Sequence, residues 1–334
     1  MTSVPFVNEE STPPPPPPPP PAAAAAVTVR GLTKRYGSLN AVDGLDLDVP
    51  RGGVFGLVGP NGAGKTTTML ATVTLLRPDA GTIDVLGHDP VTQPRAVRGV
   101  VGYVPDTFGL YDGLSCEEYL DFFAHAYEVP RERRAEQVAA LLELVELAHK
   151  KDTDVAGLSR GMQQRLSLAR GLVHDPKVLV ADEPASGLDP RARVELREIV
   201  KELANQGVTI VISSHILAEL DELCDRVAIV EAGKVLAQGT AEEIRGAVQA
   251  AHTVTVRVLG GETALAAAAQ VAAGTGVLVG VVDGHLRCEV AGGEEAAADL
   301  LAALVAAGVR VTDFREDRGG LERLFLSVTQ GVVR

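Results

Sequence analysis

Basic residues are in short supply in this 334-residue sequence, which has 31 lysines and arginines against 44 aspartates and glutamates. The formal net charge of −13 argues against a nucleic-acid partner, because proteins that wrap nucleic acid carry a basic face. Cysteine is equally sparse: Cys116, Cys224 and Cys288 lie far apart and form no Cys-x-x-Cys pair. This pattern offers neither a disulfide framework nor a zinc site, and it fits a reducing compartment.

Long apolar runs are also missing. No stretch approaches the roughly 18 to 20 uncharged residues that a membrane span needs, and the longest candidate, 300–309, has only about half that length. Glu9 and Glu10 precede every lysine and arginine, so the N-terminus does not have the pattern of a secretory signal. We therefore expect a cytoplasmic chain without a membrane span of its own.

Composition divides the chain into three regions. The apolar share of 46% and charged share of 22% are typical of globular proteins, and the length suits one large domain plus a smaller one. Residues 1–26 contain the unbroken proline run 13–21, followed by alanines. We predict a disordered tail with a polyproline II rod, which acts as a spacer or, alternatively, as a ligand for a proline-reading domain.

Residues 27–246 alternate short β-branched runs with longer helical ones. The continuous apolar runs 54–58, 178–181 and 208–212 predict a parallel sheet covered by helices on both faces. Residues 117–147 have a helical apolar stripe and predict a helical insertion within about 107–175. The stripe consists of Leu120, Phe123, Val138, Leu141, Leu142 and Val145.

Residues 253–334 have a different texture. Strand patterns at 254–259, 277–282, 286–290 and 309–314 are interleaved with helical patterns at 264–273 and 294–307. Asp283 and Gly284 supply a two-residue hairpin signal between the middle strands. The order βαββαβ predicts a small ferredoxin-like α+β domain.

The strongest motif is a glycine-rich loop, residues 59–66, between an apolar strand and a helical stretch at 66–76. It matches Gly-x-x-x-x-Gly-Lys-Ser/Thr in full. The glycines let backbone N–H groups face a nucleotide's phosphates, Lys65 neutralises the β- and γ-phosphates, and Thr66 holds Mg²⁺. We therefore predict nucleotide contacts from Gly59, Pro60, Asn61, Gly62, Ala63, Gly64, Lys65, Thr66 and Thr67.

A second motif places two carboxylates, Asp182 and Glu183, directly after the strand 178–181. Ligands of α/β sheets bind at the carboxyl ends of the strands. Asp182 is thus predicted to hold Mg²⁺, directly or through water, and Glu183 to polarise the attacking water. Taken alone, the pair could also be an acidic helix start, since carboxylates favour helix N-termini.

With both motifs in place, the chain resembles the ATPase subunit of an ABC transporter over roughly residues 27–250. The resemblance implies ATP as the nucleotide and a P-loop NTPase core with an antiparallel β subdomain and a helical insertion. Tyr36 matches the aromatic residue that stacks on adenine, although by itself it could be a core tyrosine. His215 matches the switch histidine, which would join Glu183 and Lys65 in catalysis at the γ-phosphate.

The resemblance extends to two further segments. Residues 158–165, Leu-Ser-Arg-Gly-Met-Gln-Gln-Arg, are similar to the ABC signature, normally LSGGQ, with Ser159 and Gly161 as its phosphate-contacting residues. Without the other motifs, Ser159 would be read as an ordinary helix N-cap. Residues 186–189, hereafter the D-loop, end in Asp189 and resemble the family segment of that name.

Two departures from the family pattern stand out. Arg160 and Met162 occupy signature positions where Gly and Gln are common, a mark of exporter-type relatives. Asp106 stands where the family has a glutamine that ligates Mg²⁺ and links the site to the membrane partner. At about 4 Å and an effective dielectric near 20, the extra charge is worth about 4 kcal/mol, with a sign that depends on the metal.

The resemblance implies a head-to-tail dimer, most simply of identical chains, with each signature closing over the partner's ATP. Such a dimer drives separate integral membrane permease subunits from the inner face of the membrane. The C-terminal segment 321–329 and the small α+β domain resemble those of ABC-2-type exporters. The alternatives are a soluble ABC-type ATPase and an ATP-sensing regulatory subunit; the single cassette disfavours the first, and Glu183 with His215 disfavours the second.

Overall fold

The computed structural model describes residues 25–317, apart from 108, 110, 112, 217–219, 221–222, 241, 245–251, 283 and 291–292. The proline run and segment 321–329 lie outside the described residues, so the tail and the closing motif stay predictions. None of the helices described is long and apolar enough to cross a bilayer. The predicted fold class, an α/β core followed by a small α+β domain, is confirmed.

A six-stranded sheet forms the centre of the core. Its strands are β3 (Val54–Val58), β5 (Val101–Val104), β6 (Val178–Ala181), β7 (Thr209–Ser214), β8 (Arg226–Glu231) and β9 (Lys234–Gly239). Their order is β5-β6-β7-β3-β8-β9, and every neighbouring pair is parallel except β8–β9. The three apolar runs that predicted a parallel sheet are its adjacent central strands β6, β7 and β3.

These strands are apolar throughout because each face of the sheet adjoins its own core. Successive side chains of a strand point to opposite faces, so Phe55 and Leu57 enter one cluster and Val54 and Val58 the other. All five residues of β3 are buried. The sheet therefore holds its loop-bearing ends rigidly between two packed layers.

A three-stranded antiparallel sheet contributes to the cluster that contains Phe55 and Leu57. It consists of β1 (Ala25–Tyr36), β2 (Leu39–Pro50) and β4 (Ala80–Val85) in the order β2-β1-β4. Its side chains pack with Met69 of α1 (Lys65–Thr72) and Val97 of α2 (Pro94–Val100). Strand β1 starts two residues before the predicted boundary at 27, and Ala26 is fully buried.

Four of the described helices pack in the other cluster, which contains Val54 and Val58. They are α3 (Cys116–Ala126), α4 (Arg131–Leu144), α5 (Arg160–Leu172) and α6 (Pro190–Asn205), with short 3₁₀ turns at Ala148–Lys150 and Val155–Gly157. Ser115 and Glu118 form a reciprocal capping box that starts α3. The predicted apolar stripe is buried in this cluster except for Phe123, which is half-buried at its edge.

Helix α1 is shorter than predicted, ending at Thr72 rather than at residue 76. Thr74 adopts a left-handed φ of 70°, and the N–H of Leu75 bonds back to the carbonyl of Leu70 at 2.9 Å. This six-to-one bond closes a helix C-terminus, usually with glycine at the left-handed position. With threonine there, the sequence gives no visible stop signal.

The C-terminal region forms a second, separate core. Its elements are β10 (His252–Val258), α7 (Gly261–Gly274), β11 (Leu278–Val282), β12 (His285–Val290), α8 (Gly293–Ala306) and β13 (Val311–Asp317). The antiparallel sheet has the order β11-β12-β10-β13, and side chains of both helices share its core. The βαββαβ prediction is confirmed.

Candidate functional site

The glycine-rich loop connects the end of β3 to the start of α1, and the structure explains two of its glycines. A Cβ on Gly59 would collide with the carbonyl oxygen of Val230. Gly64 has a φ of 103°, and a Cβ there would lie 2.6 Å from the carbonyl oxygen of Ala41. Only glycine fits at these two positions, which lets the loop backbone curl at the sheet edge.

Helix α1 presents an open N-terminus to this loop. Gly64 is its N-cap residue; no side chain caps the helix, and its first turn contains no acidic residue. Thr66 is exposed and Thr67 half-buried in that turn. Uncapped N–H groups and the positive end of the helix dipole together favour a phosphate.

Lys65 is folded back into the loop, only 5% exposed. Its ammonium donates to the carbonyl oxygens of Gly59 at 2.7 Å and Pro60 at 3.2 Å. It also lies 3.5 Å from Oε1 of Glu183. Burial lowers the pKa of Lys65, and the negative charge of Glu183 opposes this shift. The loop thus contains a buried cation with a carboxylate beside it.

The two carboxylates occupy the end of β6 next to that cation, not a helix start, since α6 begins only at Pro190. Asp182 is 2% exposed. Glu183 has a left-handed φ of 47°, a conformation that costs a residue other than glycine roughly 1–3 kcal/mol. Such a conformation persists only where the surrounding contacts fix it.

Ser213 of β7 supplies those contacts, and sequence reasoning missed it. Its buried hydroxyl donates to Oδ1 of Asp182 at 2.5 Å and accepts the backbone N–H of Glu183 at 2.8 Å. One side chain therefore fixes the positions of both carboxylates. A serine inside a buried strand gave no signal, because only the pairing of β6 with β7 brings it to residues about thirty positions away.

We expect Ser213→Ala to lower the free energy of unfolding by about 1–3 kcal/mol, because it leaves a buried acceptor on Asp182 and a partly buried donor on Glu183 unpaired. ATP turnover should fall with it. Ser167→Ala is the matched control: Ser167 is also fully buried, and its hydroxyl has no partner among the described residues. Urea unfolding and steady-state ATPase rates measure both effects; equal stability of the two variants would contradict the role of Ser213.

His215 follows β7 directly and reaches the same carboxylate. Its Nδ1 lies 2.6 Å from Oε2 of Glu183, and the side chain is 39% exposed. Glu183 is therefore held between Lys65 and His215, one at each carboxylate oxygen. The predicted catalytic residues Lys65, Glu183 and His215 form one cluster.

Asp106 is exposed and stands two residues after β5, whose last residue, Val104, accepts the N–H of Asp182 at 2.8 Å. Its neighbour Tyr103 reports on both acidic positions: burial raises the pKa of the Tyr103 phenol to about 12, and the charges of Asp182 and Asp106 add to that effect. Because β5 and β6 are parallel neighbours, Asp106 and Asp182 follow the same end of the sheet.

The hairpin that carries Tyr36 also approaches the phosphate loop. Tyr36 pairs with Leu39, and Ala41, two residues further, has its carbonyl against Gly64. The Tyr36 ring is 49% exposed, with the ammonium of Lys34 at 5.7 Å from its centroid. It is a surface ring available for stacking and not a core tyrosine.

The signature and D-loop lie against each other within the chain. Ser159 is the N-cap of α5, its hydroxyl accepting the N–H of Met162 at 3.4 Å. A Cβ on Gly161 would lie 2.8 Å from Cβ of Ala192, so α5 and α6 touch there. Asp189 is the N-cap of α6 and accepts from Ala192 at 2.9 Å. Gly161 and Asp189 therefore lie where the starts of α5 and α6 meet.

A groove of about 380 Å³ opens next to Asp106 and was not predicted. Its lining includes Arg98, Tyr103, Pro105, Phe123, Tyr127 and Arg170. Tyr111 and Phe122, about half exposed, lie in ring contact with Phe123 beside it. Residues of the core sheet and of the helical insertion form the groove together, so no single segment of the sequence predicts it.

The site combines a glycine-rich loop before an uncapped helix, two carboxylates at a strand end and a histidine directly after the neighbouring strand. This combination defines a P-loop nucleotide hydrolase. The family model described as "ABC transporter" matches residues 42–186. The chain is 39% identical over 303 residues to the daunorubicin resistance ATP-binding protein DrrA3 of Streptomyces coeruleorubidus, covering 91% of this chain and 95% of the relative. The chain belongs to the ATP-binding subunits of ABC transporters, and it is an ATPase.

Further relatives and solved structures agree. The Nod factor export ATP-binding protein I of Ralstonia nicotianae is 40% identical, over 65% of this chain and 68% of the relative. A solved ATP-binding subunit of an ABC transporter is 32% identical, with a TM-score of 0.61 over 67% of this chain and 93% of that chain. Another, cbiO1 of Clostridium perfringens, is described as part of the ABC transporter complex cbiONQ; its TM-score is 0.62 and its identity 28%, over 66% of this chain and 91% of that chain.

Proposed function

We propose that this ATPase works as a head-to-tail dimer that drives export through separate membrane permease subunits. The observation that carries the proposal is Glu183, oriented by Ser213, His215 and Lys65 beside the phosphate loop. A carboxylate placed this way accepts a proton from a water that attacks the γ-phosphate. Residues 59–67 would hold the phosphates, with Lys65 on the β- and γ-oxygens and Tyr36 against the adenine.

The site's donors fit Mg²⁺. This ion prefers oxygen ligands and usually takes one or two carboxylates together with substrate phosphates. Asp182, Asp106 and the hydroxyl of Thr66 are the oxygens we assign to it. Among the described residues, no three His, Cys, Asp or Glu side chains are grouped so that they could hold a metal ion. When bound, Mg²⁺ would neutralise charge on the phosphates.

Lys65 changes partners when ATP binds. In this structure its ammonium is bonded to loop carbonyls and faces Glu183. A triphosphate offers it a stronger, charged acceptor, so we propose that ATP draws Lys65 away from Glu183. The freed carboxylate then remains bonded to His215 and can receive a proton from water.

The position of the signature supports a second subunit. Gly161 approaches Ala192 of α6 in its own chain, Ser159 caps α5, and the start of α5 offers N–H groups to an anion. We propose that this surface closes over the γ-phosphate of a partner's ATP, with Asp189 at the same junction. A homodimer is the simplest assembly that uses both surfaces twice.

The groove beside Asp106 is where we propose that the permease docks. It adjoins a loop of the nucleotide site, and exposed aromatic side chains such as Tyr111 and Phe122 form its rim. Large exposed apolar patches mark interaction sites, and Arg98 and Arg170 favour a partner segment with a carboxylate. Docking would hold the ATPase on the inner face of the membrane.

Export is the direction that the relatives favour. One is named for daunorubicin resistance and another for Nod factor export, and the match to the first extends across most of the chain, beyond the ATPase core. The alternatives, a soluble ABC-type ATPase or an ATP-sensing regulator, would lack a permease partner.

Co-purification tests the proposal. We expect tagged Glu183→Gln chain, solubilised from its host's membranes with MgATP, to retain a multi-span membrane protein in stoichiometric amount by mass spectrometry. A matched purification of Phe122→Glu chain, altered at the groove rim, should lose it. Recovery with ribosomal or DNA-bound proteins alone would refute the transporter reading and favour the soluble alternative.

A further inference from the structure

Arg160, the residue that departs from the common signature, reaches the D-loop of its own chain. Its Nη2 donates to the carbonyl oxygen of Ser186 at 3.2 Å. The guanidinium lies over Gly187, where a Cβ would be 2.7 Å from Cζ of Arg160. Gly187 also has a left-handed φ of 66°. The absence of a side chain at residue 187 therefore makes room for the side chain at residue 160.

Ser186, the D-loop residue that Arg160 contacts, is also hydrogen-bonded to the backbone of Glu183. The N–H of Ser186 donates to the carbonyl oxygen of Glu183 at 3.0 Å. Glu183 has the left-handed φ of 47° described above, so its side-chain direction depends on how this turn is held. Arg160, Ser186 and Glu183 form a continuous path of two hydrogen bonds.

The start of α5 is joined to α6 at two further points. Gly161 and Ala192 are in close approach, and the buried Arg165 pairs with Glu195 at 3.3 Å. These contacts fix the backbone of the signature relative to α6. Within the signature, the side chain of Arg160 contacts the turn that leads back to Glu183.

We infer that Arg160 is a positioning residue that transmits occupancy of the partner's ATP site to Glu183 of its own site. The inference rests on the proposed head-to-tail dimer, in which the signature closes on the partner's γ-phosphate. A shift of the signature on closure moves the Arg160 guanidinium, and with it the Ser186 carbonyl and the turn that holds Glu183. One arginine thus couples the two hydrolysis sites.

The test compares ATPase rates against ATP concentration for the full chain and its variants. We expect Arg160→Ala to lower the Hill coefficient from about 2, the limit for two sites, to about 1. The rate at saturating ATP should fall about 2- to 30-fold, the range of coupling free energies along such paths. Arg160→Lys keeps a charged donor and should therefore retain part of the cooperativity that Arg160→Ala loses. The Hill coefficient is the deciding readout, because a purely structural role of Arg160 would leave it unchanged.

A double-mutant cycle locates the coupling. Gly187→Ala should also lower the Hill coefficient, because the added Cβ displaces the guanidinium; adding it to Arg160→Ala should change little further, since neighbours in contact are non-additive. Arg133→Ala is the charge-matched control: Arg133 pairs with Asp175 on the exposed surface of α4 and should leave cooperativity intact. Additive effects of residues 160 and 187 would overturn the path.

Light scattering separates failure of this inference from failure of the proposed function. Glu183→Gln chain should dimerise with ATP, and Glu183→Gln with Arg160→Ala should dimerise as well. No dimer in the first case overturns the proposed function. A dimer in the first and not the second assigns Arg160 to association and overturns the coupling role. Dimers in both, with an unchanged Hill coefficient in Arg160→Ala, also overturn it.

Discussion

Glu183→Gln is expected to reduce ATP turnover by about 10²- to 10⁴-fold, the usual contribution of a general base. Glutamine keeps the shape of the side chain and can still bond His215, but its amide cannot accept a proton from water. Binding of ATP should persist, because Lys65 and the loop 59–66 remain. Loss of the negative charge that faces Lys65 at 3.5 Å should even favour the bound triphosphate.

The bound state provides the second readout for this variant. ATP that is held and not hydrolysed should accumulate as a dimer, visible by light scattering and by retained radiolabelled nucleotide. Glu136→Gln, an exposed change on α4, is the control and should behave as the parent. A Glu183→Gln chain that hydrolyses ATP at the parental rate would remove Glu183 from its proposed role.

The parts of the site that sequence predicted are those encoded locally. The loop 59–66 carries its own glycines, and its flanking strand and helix are adjacent in the chain, so motif and context are read together. Asp182 and Glu183 follow a continuous apolar strand, and strand ends of parallel sheets collect ligands. The structure places all of them, with His215, around Lys65.

The parts that sequence did not predict depend on pairings between distant segments. Ser213 lies within a buried strand and gains its partners only because β7 is next to β6. Arg160 could be recognised as a departure from a pattern, but its contact with Ser186 required the packing of α5 against α6. The aromatic groove likewise combines separate elements. Only the tertiary arrangement reveals these contacts, since none has a fixed spacing along the chain.

Removing the charge of Lys65 should weaken ATP binding about 10- to 150-fold, which corresponds to loss of a hydrogen bond with a charged partner. We expect this for Lys65→Ala and equally for Lys65→Met, which keeps most of the buried stem, so that an effect of charge is separated from an effect of packing. The carbonyls of Gly59 and Pro60 would lose their donor, and the Glu183 carboxylate would keep its contact with the His215 ring.

Titration with ATP by calorimetry measures this loss directly. Lys234→Ala is the matched control, since Lys234 forms an exposed pair with Asp43 in the strands β9 and β2 and should leave the affinity unchanged. Unchanged ATP affinity in Lys65→Met would contradict the assignment of the phosphate loop. A loss in Lys65→Ala but not in Lys65→Met would instead assign the effect to the buried stem, because methionine keeps most of that stem and lacks only the charge.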